Sequence, residues 1–492
     1  MRICGDRLRR HLRATLLTAL ALCQHCSLAQ GRPRAQATPS TKSSSPVGSL
    51  KQQFASARAA YQAGHYSQAW NELQPVLTGN PNNSDVNELA GLVQVSMGQD
   101  DKAHSYLAKA VRLNPNVAEW RTTLAVNLLK LHRNGEAEAQ FRKAVGLEPT
   151  NYDTNHNLGE FYIQTGNLMA AIPYLRRAQR LNPNSYSNGY DLALACEQTG
   201  ELDQARRQLQ SLIKINDRAE LHNLLAEVEE KSRNYLASAG EYEKAARMDP
   251  SESNIFDWGA ELLLHQTFEP ALAVFKAGLE RLPQSTRLQL AVGIALYGLG
   301  RFDDGAREFC KVWDKSPSDS LPLSLAGKAY ENLSSSMADE VRSRFRQFVE
   351  SGGRDASIRY YYAVSLWREH EGNPESVQPA EIESLLKSAI SLQRDYADAY
   401  LQLGIIYAEQ HKYAEAAAQY EQALKTAPNV PATHYRLGQA LSRMGDKSRA
   451  EQEFTAFERL HNQEVAATEK QNSDIQQFVY TMRNAASPAN SN

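Results

Sequence analysis

Apolar and small residues recur along this chain with a period of about 34 residues, and in each period they fall into two groups spaced for two helices. From Tyr152 the series is Leu158, Gly159, Tyr162, Gly166, Ala171, Leu175, Ala178 and Pro183. From Ala397 it is Tyr400, Leu403, Gly404, Tyr407, Tyr413, Ala416, Tyr420, Ala423 and Pro428, at the same offsets. From Ser84 it is Ala90, Gly91, Gly98, Ala103, Leu107, Ala110 and Pro115. Positions 7, 8 and 11 of a unit, and then 20, 24 and 27, follow i, i+3, i+4 steps, so each set occupies one face of a helix. The small residues at 8 and 20 let two backbones approach, and the larger residue at 24 fills the gap beside them. Proline at 32 stops the second helix, because it cannot continue a helix and disfavours helical geometry in the residue before it.

These residues resemble the tetratricopeptide repeat, with its large residue at position 4, Leu-Gly at 7 and 8, Tyr at 11, Ala at 20, an aromatic at 24, Ala at 27 and Pro at 32. The resemblance implies an all-α fold, a right-handed superhelical solenoid of about twelve helix-turn-helix repeats over residues 50–460. Repeat starts fall at residues 50, 84, 118, 152, 186, 219, 252, 286, 320, 356, 397 and 431. The copy from Ser320 has a poor second helix between Ser334 and Ser351, and the copy from Ala356 carries an insertion around Glu371–Pro379.

Arg2, Arg7, Arg9, Arg10 and Arg13 precede an apolar run, Ala14–Cys23, and then Ser27-Leu28-Ala29. That pattern predicts a signal peptide over 1–29, cleaved after Ala29, and a periplasmic or secreted protein. The run is too short to span a bilayer, and Leu22 before Cys23 and His25 before Cys26 make poor lipid-acylation sites. Residues 30–49, rich in Ser, Thr, Pro and Gln, read as a disordered linker. Ile475, Phe478, Val479 and Met482 recur at helical spacing, so residues 461–486 read as a helix capping the last repeat, with a disordered tail over 487–492.

Loss of residues 1–29 removes five Arg and one Asp and takes the formal net charge from -2 to -6. Basic residues are scattered among acidic ones without a stripe, which argues against nucleic acid as a partner. Only Cys196 and Cys310 lie beyond the cleavage site, three repeats apart and too far to pair, so each is expected to be a buried small hydrophobe.

The chain has no His-Glu-x-x-His helix, phosphate-binding Gly-x-x-x-x-Gly-Lys loop or Gly-x-Ser-x-Gly elbow. Ser384-Leu385-Leu386-Lys387 lacks the companion motifs of a Ser-x-x-Lys enzyme and falls in a predicted helix. Gly298, Gly300 and Gly305 belong to a helix-turn-helix junction. Histidines are dispersed, so no metal, no cofactor and no enzyme activity are expected.

Function is then expected on the surface that stacking creates. The resemblance implies that positions 2, 5, 9, 12 and 13 of each first helix face a concave groove, and helical spacing sets them apart from the core stripe. Position 5 supplies Phe54, His156, Tyr190, Phe256, Tyr360 and Tyr435; position 12 supplies Tyr61, Tyr297 and Trp367. Among them lie Glu119, Asp153, Glu160, Glu197, Glu220, Glu227 and Glu230. The partner-binding residues are therefore taken as Tyr190, Phe256, Tyr297, His156, Glu160, Glu197, Tyr360 and Trp367, suited to protein or peptide partners with basic and apolar side chains. Tyr360, Tyr361, Tyr362 and Trp367 crowd one helix as a second candidate patch, with Tyr362 expected in the core.

Position 6 reads Ala55, Leu89, Thr123, Asn157, Asp191, Leu224, Asp257 and Ala291, neither an asparagine ladder nor a carboxylate clamp. The expected function is a non-enzymatic scaffold in a bacterial envelope. Polysaccharide export or glycan binding, and an accessory subunit of an enzyme complex, are the alternatives.

Overall fold

The computed structural model describes residues 46–463, and within them every regular element is a helix. The expected signal peptide, all but the end of the linker and nearly all of the capping helix lie outside these residues.

The chain divides into two compact units, Met1–Asp217 and Arg218–Asn492. The first holds five helix pairs. They are α1 (Pro46–Gln62) with α2 (Tyr66–Gly79), α3 (Ser84–Ser96) with α4 (Asp100–Leu113), and α5 (Ala118–Lys130) with α6 (Asn134–Leu147). Then come α7 (Tyr152–Gln164) with α8 (Leu168–Leu181), and α9 (Tyr186–Thr199) with α10 (Leu202–Ile215).

The second unit holds seven pairs. They open with α11 (Ala219–Lys231) and α12 (Tyr235–Met248), α13 (Glu252–Leu264) and α14 (Phe268–Arg281), and α15 (Thr286–Gly298) and α16 (Phe302–Lys315). Next are α17 (Leu321–Ala329) and α18 (Ser335–Glu350), α19 (Ala356–Gly372) and α20 (Pro379–Leu392), and α21 (Ala397–Glu409) and α22 (Tyr413–Thr426). The last pair is α23 (Pro431–Met444) and α24, residues 447–463, which continues unbroken past the expected start of the cap at 461. In each unit consecutive pairs pack in chain order, as a helical-repeat solenoid requires. Helix α1 starts at Pro46, inside the stretch expected as linker, because Pro is well placed at a helix start.

The pairing of positions 8 and 24 is visible atom by atom. A Cβ on Gly159 would lie 2.5 Å from Leu175, on Gly91 2.4 Å from Leu107, and on Gly404 2.4 Å from the Tyr420 ring. Each glycine therefore makes room for its own repeat's second helix. At Gly305 the close neighbour is backbone instead: a Cβ would stand 2.9 Å from the Gly293 carbonyl oxygen. Backbone cannot rotate away, so Gly305→Ala is expected to cost about 1–3 kcal/mol. A thermal midpoint for unit 2 unchanged from wild type would refute this.

Ten of the twelve turns between paired helices carry one residue with positive φ at the same position: Gly64, Gly98, His132, Gly166, Gly200, Arg233, Gln266, Gly300, His411 and Gly445. That residue donates its N–H three residues back, as Gly166 does to the Ile163 carbonyl at 3.0 Å, and the next residue donates five residues back, as Asn167 does to the Tyr162 carbonyl at 2.8 Å and Lys412 to that of Tyr407 at 2.8 Å. This double closure satisfies the last carbonyls of the first helix.

The ninth and tenth repeats depart from the rule. The weak second helix expected between Ser334 and Ser351 is instead a full helix of 16 residues, α18. Its N-cap Ser334 accepts from the Met337 N–H, and Met337, Val341, Phe345 and Phe348 are all buried. The sequence misleads because position 24 is Ser343, so the usual filler is missing. The space over Gly327 is filled from the next repeat, by Tyr361, whose ring would meet a Cβ there at 2.2 Å. The insertion in the tenth repeat lengthens α19 to 17 residues and then turns back, held by the His370 Nδ1–H to the Val377 carbonyl at 2.9 Å and by burial of Val377.

Candidate partner-binding surface

The first helices of unit 1 combine aromatic rings with carboxylates. On α7, Tyr152 stacks on His156 with ring centroids 5.4 Å apart, and on α9 Tyr186 stacks on Tyr190 at 6.3 Å. His156 is buried to 8% exposure, where the groove assignment expected an open residue, and its orientation is fixed by Asn188. The Asn188 amide donates to the Leu175 carbonyl at 2.9 Å and to Gln179 Oε1 at 2.7 Å, so its oxygen accepts and His156 Nδ1 is the donor, at 3.2 Å. His156 Nε2 then faces Glu160 Oε2 at 3.9 Å, beyond hydrogen-bond reach.

Glu160 accepts from the Gln164 amide at 3.1 Å and keeps a narrow opening to solvent. Burial raises its carboxyl above the usual range, against the favourable field of His156. Asp191, on α9, is 5% exposed and has no hydrogen bond or ion pair among the described residues. Burial, reinforced by the charge of Glu160, pushes it up to about 8. Nearer the start of the unit, burial also pushes Glu88 up to about 7, Arg58 opposing and Glu119 and Asp85 adding to the rise. Glu197, expected to line the groove, is buried at 1% exposure, because α9 is covered on that side as well.

In unit 2 the expected residues divide. Tyr297 is 38% exposed and meets Phe302 edge-on at 5.4 Å, leaving one face open. Phe256 is half-buried, packing on Phe275 at 6.1 Å, and its outer face is taken by the Arg287 guanidinium at 3.7 Å. Such a cation stacked on a ring competes with any ligand for that face. Tyr360 is half-buried between Tyr361 at 5.1 Å and Tyr396 at 5.2 Å. Trp367 is 9% exposed and packs on His370, and Tyr362 is buried as its core position requires. The second candidate patch thus spends Tyr361, Tyr362 and Trp367 on repacking around the irregular repeats. Tyr435, at 42% exposure, remains open beside Phe454 and Phe457.

Sequence reasoning passed over Asp191 and Arg287. Asp191 had a weak signal: an acid at position 6, which among the first eight repeats recurs only at Asp257. Cys196 and Cys310 are buried free thiols, and burial raises both, Cys196 up to about 12 and Cys310 to about 11. Among the described residues no cluster of three or more His, Cys, Asp or Glu could hold a metal ion, and no helix is long and apolar enough to cross a membrane.

The arrangement defines a helical-repeat protein whose surface offers aromatic and acidic side chains. Residues 84–117, 122–186 and 167–228 match tetratricopeptide repeat family models, and residues 406–445 match a TPR repeat model. The matched segments are tetratricopeptide repeats. No curated protein matches it. Among solved structures it is similar to Naa15/Naa10 bound to HypK-THB, with 15% identity over 83% of this chain and 68% of that one and a TM-score of 0.39. YrrB, a TPR protein with an unusual peptide-binding site, matches at 19% identity over 37% of this chain and 94% of its own, with a TM-score of 0.35. Pseudomonas aeruginosa pilF matches at 19% identity over 43% of this chain and 97% of its own, with a TM-score of 0.37.

Proposed function

We propose that this chain is an exported, non-enzymatic scaffold that binds protein or peptide partners on the face formed by the first helices of its repeats. The observation that carries the reading is that first helices in each unit hold partly open aromatics, Tyr190 in the first unit and Tyr297 and Tyr435 in the second. Rigid aromatic anchors supply most of the energy at protein interfaces. Arg-rich residues 1–13, the short apolar run and Ser27-Leu28-Ala29 support export across a bacterial inner membrane.

Cell fractionation with N-terminal sequencing tests export: the mature protein is expected outside the cytoplasm, beginning at Gln30. Full-length chain retained in the cytoplasm would defeat that part. Co-purification from envelope extract tests binding, with the triple variant Tyr190→Ala, Tyr297→Ala, Tyr435→Ala beside the wild type. Phe256 is left intact because its removal would disturb packing on Phe275. Partners retained equally by both would move binding off this face, and glycan recovered in place of protein would favour an envelope polysaccharide role.

A further inference from the structure

Asp191 and Glu160 are two largely buried acids of unit 1 with no hydrogen bond to a Lys or Arg. They come from the first helices of adjacent repeats, α9 and α7, which the buried His156–Asn188 hydrogen bond ties together at 3.2 Å, one helical turn before Glu160 on α7 and before Asp191 on α9. A buried carboxylate is ordinarily paired or hydrogen-bonded, because leaving one alone in a low-dielectric site is costly. Asp191 has neither kind of partner among the described residues, and the charged group acting on it is a second carboxylate. Glu160 has one amide donor, Gln164, and a histidine whose nearer nitrogen is too distant to bond. Among the described residues no Lys or Arg forms an ion pair with either acid. Tyr152 stands close enough to feel the charge of Asp191, and Tyr190 immediately precedes Asp191 on the same helix. Two acids without a Lys or Arg partner, beside tyrosine rings, have the composition of a receptor for a positively charged side chain, which would displace the proton that burial leaves on Asp191.

We propose that Asp191 and Glu160 form a subsite that receives a Lys or Arg side chain of the partner, between α7 and α9. This rests on the peptide-binding reading above and makes it specific. The partner's cation supplies the counter-charge that the fold leaves out, and Tyr152 and Tyr190 flank its alkyl stem. Because Asp191 lies deep and Glu160 nearer the opening, the subsite suits a long side chain rather than a main-chain amine.

The test is an array of immobilised heptapeptides varied at every position, probed with the mature protein in the presence of EDTA so that no metal bridges the carboxylates. Wild type is expected to select peptides with Lys or Arg at one fixed position. Acetylating that lysine, or replacing the basic residue by Gln, is expected to weaken binding about tenfold or more. Asp191→Asn and Glu160→Gln, both isosteric, should erase the preference while circular dichroism shows the helices intact. Peptides bound without any basic preference, but lost on Tyr190→Ala, would overturn the cation subsite and leave the peptide-binding reading standing. A basic preference unchanged in both carboxylate variants would place the cation elsewhere and equally overturn it. Failure to bind any peptide would remove both readings.

Discussion

Replacing Phe345 by Ala is expected to lower the opening free energy of the ninth repeat by about 3–5 kcal/mol, the usual cost of deleting a fully buried aromatic side chain. The ring is 0% exposed, stacks on Tyr361 at 6.4 Å and lies 6.1 Å from Tyr330. Its loss leaves a cavity where α17, α18 and α19 meet, and unseats the Tyr361 ring that covers Gly327. Amide exchange followed by mass spectrometry is the appropriate measurement, since repeat arrays open locally and a single melting curve averages over them. Faster exchange concentrated in residues 321–372 is the expected result. A change below about 1 kcal/mol there would mean that α18 contributes little to the core.

Asp191→Asn is expected to stabilise unit 1 above neutral pH, on the order of 2–4 kcal/mol, and to abolish one component of its pH dependence. Below pH ~4 the carboxyl is protonated in folded and unfolded chains alike and has no effect on stability. Above that, the unfolded chain releases the proton while the folded one holds it up to about 8. The folded state therefore binds more protons in this interval, and stability falls as pH rises through it. Above about 8 the full penalty is present. Other carboxyls pull the opposite way: Glu138 and Glu383 are held low by side-chain hydrogen bonds, Glu138 chiefly by Tyr162 and Glu383 chiefly by Lys387. The difference between variant and wild type at each pH is consequently the quantity to plot. A flat difference between pH 4 and 8 would show that Asp191 is ionised throughout. The same penalty is what a basic ligand would relieve, so the variant should be both more stable and less able to bind.

Much of the fold was legible because it is written in local, periodic terms. The exchange of size between positions 8 and 24 can be read from Gly159 and Leu175, or Gly404 and Tyr420, and ten of the twelve first helices start at the residue that pattern gives, the first and ninth repeats excepted. The irregular repeats were less legible for a physical reason: Gly327 is filled by Tyr361, a residue 34 positions on, and no rule internal to one repeat can see it. The candidate surface was legible only in part. Position number identifies which side of a helix a residue occupies, and Tyr297 and Tyr435 are open there. It does not say how closely successive first helices approach, and so His156, Glu197 and Trp367 are closed in where exposure was expected. Nor does it reveal a missing counter-charge, which is a property of neighbours in space.

The turn shared by ten repeats holds its left-handed residue whether that residue is Gly166 or the bulkier His132, Arg233, Gln266 or His411. A side chain there costs about 1 kcal/mol, and the turn keeps its shape regardless, so the joint is set by the two helices and not by the residue that spans it. Such joints are interchangeable parts. Excising residues 118–151, one whole period, would bring two matched ends together and shorten the array without a new connection having to be invented. The ninth and tenth repeats, which share a ring between them, would have to be gained or lost as a couple. Growth and contraction of this chain by duplication is thus open along most of its length and closed at one place.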